Sequence, residues 1–471
     1  MNFKILRWVL IFIGMQILAL SIIGGYSFFT AAEEENGLFA MNKMLITVKN
    51  PQNISSEAFF SLEDIDKLND YSITLTATSL EKTENETINI TGTNSTYINF
   101  CNIEFSSGCF FDRNAEIAGE QVIVIDEKLA WNKFGSINAV GNTMKLFNKN
   151  FRVIGIISEN KSIVGLISNS GLPNAYIPIR ALLEIDKTAK VNSLQIQTDD
   201  TTLSGKNTSE AIEMLNMMGK SLDDYYISDL NIKKVLIEQK PRIIVFIIGI
   251  VCIIAVFMTF INKTKEIFIF INNKAKTDYM INIIKIHKNM LILQLIKLLL
   301  FLSTIVLIWK FIKFDIYIPP EYLPKELIDF NFYVNLFWKS IERINLSKGY
   351  IPPMAEIQLN SITLLSNWLF CLGLFIGFPI LLINLMRSRI NRNYFYRVFM
   401  LICILFIISI ALSSVVMLLS GITQKLNTAD LAVLFSFNYI FLIKNSFKNG
   451  KEKVKNNEKN MPYYYDGSDC F

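Results

Sequence analysis

The sequence predicts a multi-pass α-helical membrane protein with a large extracytoplasmic α+β domain between its first and second spans. Three observations predict it. Uncharged apolar runs long enough to cross a bilayer as helices occur near the N-terminus and again after residue 240. Between those runs, residues 32–240 alternate short strand-like stretches with polar turns. Basic residues gather in segments that one topology places on the same side of the membrane. Composition agrees: 51% hydrophobic residues and a mean hydropathy of +0.35 over 471 residues are too apolar for an ordinary soluble protein.

In chain order, Lys4 and Arg7 precede an apolar run from Trp8 to Phe29. That run exceeds the apolar core of a secretory signal, which favours an uncleaved first transmembrane helix over residues 1–31 against cleavage near Ala31-Ala32. Glu33, Glu34 and Glu35 then lie outside. Residues 32–240 form the extracytoplasmic domain. Its expected strands are Met44–Val48, Tyr71–Thr78, Thr87–Thr91, Gln121–Ile125, Met144–Phe147, Phe151–Ile157, Ala175–Ile179 and Ser193–Thr198, where apolar and β-branched residues alternate or cluster between turn residues. Ser61–Leu68, Asp126–Phe134 and Glu210–Met218 carry helical patterns, and Tyr225–Lys240 reads as a helical stalk feeding the next span.

Residues 241–313 hold the second and third spans, Ile243–Ile261 and Met290–Trp309. Their connection, 262–289, has Lys263, Lys265, Lys274, Lys276, Lys285 and Lys288 against Glu266 and Asp278, which assigns it to the cytoplasm. Residues 314–364, with Pro319-Pro320 and Pro352-Pro353, fall outside. A fourth span follows at 365–386, interrupted by Pro379. Arg387, Arg389, Arg392 and Arg397 mark a cytoplasmic return, and 387–443 supplies one or two further spans, Val398–Leu419 and the shorter Leu431–Ile443. The tail, 444–471, is lysine-rich. Six spans place both termini in the cytoplasm. Heavy use of Asn, Lys and Ile points to an AT-rich, bacterial genome and hence to a bacterial cell membrane.

The residues offer little chemistry. The net charge of +5 sits beside apolar runs, as a topology signal and not as a nucleic-acid footprint. A lone histidine, His287, leaves no basis for histidine catalysis or a histidine-held metal. Gly219-Lys220-Ser221 echoes the end of a phosphate-binding loop, but Met214 occupies the position of its first glycine. Glu63, Asp64, Asp66 and Asp70, and the Asp199-Asp200 pair, read as solvated acidic surface. No catalytic or metal-binding residue is assigned, the chain itself is not expected to be an enzyme, and no cofactor is expected in it. Cys252, Cys371 and Cys403 lie in apolar runs as packing residues, whereas Cys101 and Cys109, eight apart in the outside region, leave a disulfide open.

The stretch Gly119–Ser158 carries a resemblance. Val122–Ile125, Leu129-Ala130, Phe134-Gly135, Val140-Gly141 and Val153–Ile157 follow one another as strand, short helix, turn and hairpin, and Ala175-Tyr176-Ile177-Pro178 comes later as another strand. This arrangement resembles the extracytoplasmic core domain of the MacB/FtsX-like ABC transporter permease family. Lys263-Thr264-Lys265-Glu266-Ile267 is similar to the opening of that family's cytoplasmic coupling segment, although Phe268 stands where glycine is common. The resemblance covers about residues 1–390. It implies a permease that pairs with an identical or related second permease subunit and with a cytoplasmic ABC ATPase. That partner would bind ATP, and Lys263, Lys265 and Glu266 would lie at its contact. The competing expectation is a membrane-anchored extracytoplasmic sensor or scaffold that works without an ATPase.

Overall fold

A computed structural model describes residues 3–52, 54–66, 72–83, 86–169, 171–198, 206–276, 279–324, 326, 329–346, 350–388 and 394–459. Asp70, Asp199-Asp200, Arg389, Arg392, Cys470 and the tail from 460 onward lie outside the described residues.

Among the described residues, the outside domain is built on one ten-stranded mixed sheet. Its strands are β1 (Lys43–Val48), β2 (Ile73–Lys82), β3 (Thr87–Thr93), β4 (Phe105–Gly108), β5 (Val122–Asp126), β6 (Thr143–Leu146), β7 (Lys149–Ile157), β8 (Asn174–Pro178), β9 (Ser193–Gln197) and β10 (Tyr225–Asp229). They run in the order β10-β1-β9-β2-β3-β8-β5-β7-β4, with β6 paired to β7. β5 with β7 and β3 with β8 are parallel, and the other pairs are antiparallel. Ile90, Ile123, Ile125, Phe151, Val153, Ile177 and Leu194 fill the core beneath it. Local chemistry fixes the pieces. β6 turns into β7 through Phe147 and Asn148, both at positive φ, the two-residue geometry that suits the twist of a hairpin. The Asp126 carboxylate accepts the Leu129 amide and starts the helix Glu127–Phe134, and Gly135 ends it in the left-handed region at φ 66°.

Two expectations change here. Tyr225–Lys240 is not a uniform helical stalk: Tyr225–Asp229 is β10, hydrogen-bonded along β1, and the helix begins at Leu230. An unpaired strand edge offers these residues hydrogen bonds that outweigh their local helical pattern. β4 was not apparent in the sequence because Phe105-Ser106-Ser107-Gly108 lacks an apolar alternation, and it forms by pairing with β7.

Among the described residues, five helices are long and apolar enough to cross a membrane: Ile5–Glu35, Leu230–Ala275, Lys288–Ile312, Met354–Arg387 and Phe395–Leu419. The first is the hub of the bundle, with Ile11, Met15, Leu18 and Ile22 wholly buried. Gly14 lets the fourth of these helices approach so closely that a Cβ would stand 2.9 Å from the Leu381 backbone nitrogen. The helix Thr428–Lys459 follows. Its apolar stretch is shorter and it is not one of the five, although Leu434, Phe437 and Leu442 are buried in the bundle. In the fourth spanning helix, a π-helical turn at Leu372–Gly377 precedes Pro379, and the wider coil accommodates the missing amide.

The segment 262–289 is not an open loop. The helix Leu230–Ala275 runs 46 residues, about 70 Å at 1.5 Å per residue, and continues into the basic segment as far as Ala275. Met280–Ile286 and Lys288–Ile312 follow as further helices. Lysine and glutamate do not stop a helix, and no glycine or proline occurs between Ile250 and Met290 to do so. Likewise, 314–364 includes the helix Phe330–Leu346 and the first turns of the helix that starts at Met354.

Candidate coupling site

The long helix Leu230–Ala275 joins two unlike environments. At its outer end it grows directly from β10. Asp229 caps it, accepting the Asn231 amide at 2.8 Å while Asn207 Nδ2 donates to its other oxygen at 3.1 Å. Lys234 pairs with Glu33 of the first helix at 2.9 Å. Gln239 both donates to the Tyr317 carbonyl at 3.1 Å and accepts its amide at 3.2 Å. Tyr26 Oη donates to Asp430, tying the first helix to the last.

Beside this end, charged groups from distant parts of the chain are buried together. Lys43 on β1 is 1% exposed and donates to the carbonyls of Asn36, at 3.1 Å, and of Phe100. Burial pushes its pKa down to about 8, and the nearby Cys101 thiol and Glu356 carboxylate offset part of that shift. Glu356, two residues inside the fourth spanning helix, accepts from Tyr350 Oη at 2.7 Å and from Ser193 Oγ at 3.5 Å. A space of about 50 Å³ between Lys43, Gln195, Lys233 and Glu356 is room for a water or two. The sheet, the long helix and the fourth spanning helix therefore meet at one polar joint. Sequence reading missed it. The visible signal was a lone acid, Glu356, at the mouth of an apolar span.

At the inner end, Lys263 and Glu266 are brought together as an ion pair at 2.8 Å, three residues apart on one helix face. Both are substantially exposed, so the pair adds little stability. Lys265 is exposed one position away. The neighbouring surface is apolar: Phe268 is 70% exposed, Ile281 74% and Ile286 69%, and only Ile283 of the short helix Met280–Ile286 is buried. The lysines drew the sequence reading, and this Ile/Phe surface between them went unremarked.

Cys101 and Cys109 are both free thiols, Cys101 buried and Cys109 exposed, so no disulfide joins them. Cys101 belongs to the aromatic cluster of Tyr97, Phe100 and Phe111, while Cys109 follows β4, its amide bonded to the Ile154 carbonyl. Among the described residues, no group of histidine, cysteine and carboxylate side chains is arranged to hold a metal.

Residues 9–213 match the family model described as the MacB-like periplasmic core domain. The ABC transporter permease YknZ of Bacillus subtilis is 25% identical over 163 residues, which is 34% of this chain and 39% of its own length. The chain thus matches about two fifths of that relative. Among solved structures, the periplasmic region of MacB from Actinobacillus actinomycetemcomitans is 21% identical with a TM-score of 0.34, covering 42% of this chain and 92% of its own. The extracellular domain of the noncanonic ABC-type transporter YknZ from Gram-positive bacteria is 20% identical with a TM-score of 0.32, covering 40% of this chain and 100% of its own. Residues 9–213, the first helix and most of the outside sheet domain, are thus the part of the chain that is similar to the MacB-like periplasmic core domain.

Proposed function

We propose that the chain is the permease subunit of an ABC transporter of the MacB type, converting ATP hydrolysis by a separate cytoplasmic ATPase into movement of its extracytoplasmic domain. The observation that carries this reading is the unbroken helix Leu230–Ala275, which starts on an edge strand of the outside sheet and ends in the basic segment. Pro241 lies inside this helix, buried against Gly25 of the first helix, and the helix continues on both sides of it, so a push at the inner end is passed along one element to the sheet. In this reading residues 32–240 work outside, 262–289 contact the ATPase, and both termini are cytoplasmic in a bacterial cell membrane. A second permease subunit, identical or related, completes the complex. ATP is bound by the partner. The Lys263–Glu266 pair and Lys265 set the charge of the contact, and Phe268, Ile281 and Ile286 supply its apolar area.

The test is affinity purification from the native membrane in mild detergent, with and without Glu266→Lys. A P-loop ATPase that co-purifies with the unaltered chain and is depleted at least about tenfold by the substitution supports the reading. If no ATPase appears under conditions that keep other ABC complexes intact, a sensor or scaffold without an ATPase replaces it.

A further inference from the structure

The sheet domain returns to the membrane bundle at the short helix Ile163–Ser168, which follows β7. Ser162 caps it, its hydroxyl accepting the Gly165 amide at 3.2 Å. The Ile163 amide donates to the carbonyl of Ser420, the residue that ends the fifth spanning helix, at 2.8 Å. Gly421, at φ 67°, comes so close that a Cβ there would stand 3.0 Å from the Ser162 Cα. Val164, 1% exposed, packs in one cluster with Phe28 and Phe29 of the first helix, Ile362 of the fourth and Ile422 just past the fifth. The short helix is thus clamped where the apolar spans end. Trp368 marks the same level: it is 63% exposed on the fourth spanning helix, one turn from Leu365 of that cluster, and indole side chains favour the membrane–water boundary.

The other side of the short helix is apolar and open. Leu166 is 70% exposed and Ile167 49%, while Val164, Gly165 and Ser168 are buried. A lone exposed leucine needs no explanation. These two, however, continue a wall. On the fifth spanning helix, Ile404, Ile408, Leu412, Val415 and Leu419 recur at three- and four-residue intervals, all exposed, as the lipid-facing stripe of a span does. That stripe ends at Leu419, one residue before the carbonyl that holds the short helix.

We propose that Leu166 and Ile167 insert into the outer leaflet of the bilayer, so that the outside domain contacts lipid directly at this helix. The surface extends the lipid-facing wall of the fifth spanning helix, and Ile163–Ser168 contains no charged side chain that would hold it in water. Apolar side chains at the edge of a bilayer reach about 5–10 Å into the boundary between headgroups and acyl chains. A movement that lifts the outside domain from the membrane must therefore withdraw two aliphatic side chains from lipid. The contact rests on the membrane fold and holds whether or not an ATPase drives the domain.

The test places a nitroxide at Leu166→Cys or, separately, at Ile167→Cys in the full-length, otherwise cysteine-free protein in phosphatidylcholine nanodiscs. Power-saturation electron resonance then compares access of oxygen, which concentrates in hydrocarbon, with access of a water-soluble nickel chelate. Leu418→Cys, beside the lipid-facing stripe, supplies the lipid reference. Lys145→Cys, exposed on β6 at the far end of β7, supplies the water reference. The oxygen-to-nickel ratio at both test positions should approach that of Leu418→Cys and exceed that of Lys145→Cys at least about threefold. Both side chains are exposed, so labelling leaves the fold intact, as an unchanged thermal midpoint would verify. A ratio equal to that of Lys145→Cys would mean that the helix stands in water. Low access to both reagents would mean that protein, a second copy included, covers it. Either result overturns the proposal.

Discussion

The two ends of the helix Leu230–Ala275 are built on opposite principles. The outer end is capped by Asp229, bonded twice to Tyr317 through Gln239, paired to the first helix through Lys234, and set against the buried Lys43 and Glu356. Among the described residues, the inner end carries the exposed Lys263–Glu266 pair and an apolar surface that packs on little of this chain. Buried polar groups with specific partners hold one geometry and are costly to disrupt, whereas exposed apolar area on a basic segment is surface suited to another protein. One end is fastened and the other is presented. In the permease proposed above, that difference would give the helix a direction, with force entering where contacts are few and leaving where they are many.

The contrast predicts unequal consequences for substitutions at the two ends. Lys43→Met should produce the largest loss of stability, about 2–4 kcal/mol, because the Asn36 and Phe100 carbonyls lose their buried donor. Its thermal midpoint, compared with that of the unaltered protein in the same detergent, measures this. A midpoint shifted by less than a degree or so would mean that the joint does not fasten the outer end. The same lysine should also give a pH signature. Its folded pKa, about 8, lies below the ordinary value of 10.5, so between those values the unfolded chain holds a proton that the folded one lacks. Stability should therefore rise as pH climbs through this window and be level below it with respect to this group. Lys43→Met should remove that rise, which thermal scans between pH 7.5 and 10 would reveal.

Asp229→Ala should have a smaller effect, about 1 kcal/mol, because it removes a helix cap and the Asn207 acceptor while leaving the other fastenings. The smallest effect on stability belongs to the inner end. Phe268→Ser should change the midpoint by less than about 0.5 kcal/mol equivalent, because the ring is 70% exposed. Pull-down should nevertheless show reduced ATPase recovery. If Phe268→Ser unfolded the protein while Lys43→Met did not, the assignment of the two ends would be reversed.

Legibility in the sequence followed how local the determining physics is. Val122–Ile125 and Phe151–Ile157 were readable as strands because β-branched residues cluster between turn formers, and Asp126 and Gly135 mark the intervening helix at both ends. The apolar spans were readable from length alone. β10 was not, because Tyr225–Asp229 takes its conformation from β1, far away in the chain. The continuity of the long helix through 262–275 was obscured because charge was read as loop, although charge sets the side of the membrane and not the secondary structure. The polar joint was invisible for a plainer reason: Lys43, Ser193, Lys233 and Glu356 come from four separate segments, and no local pattern brings them together.

The central claim is that the helix Leu230–Ala275 moves as one rod between the cytoplasm and the outside sheet. Spin labels on Gln121→Cys in the sheet domain and Ile404→Cys in the fifth spanning helix, in an otherwise cysteine-free chain purified with its ATPase, would report their separation by pulsed electron resonance. The account predicts a shift in that distance when nucleotide is trapped on the ATPase, and loss of the shift when four glycines inserted after Ile261 break the rod at the inner membrane edge. The same shift in the glycine-insertion variant, or no shift while the ATPase is trapped and bound, would contradict it.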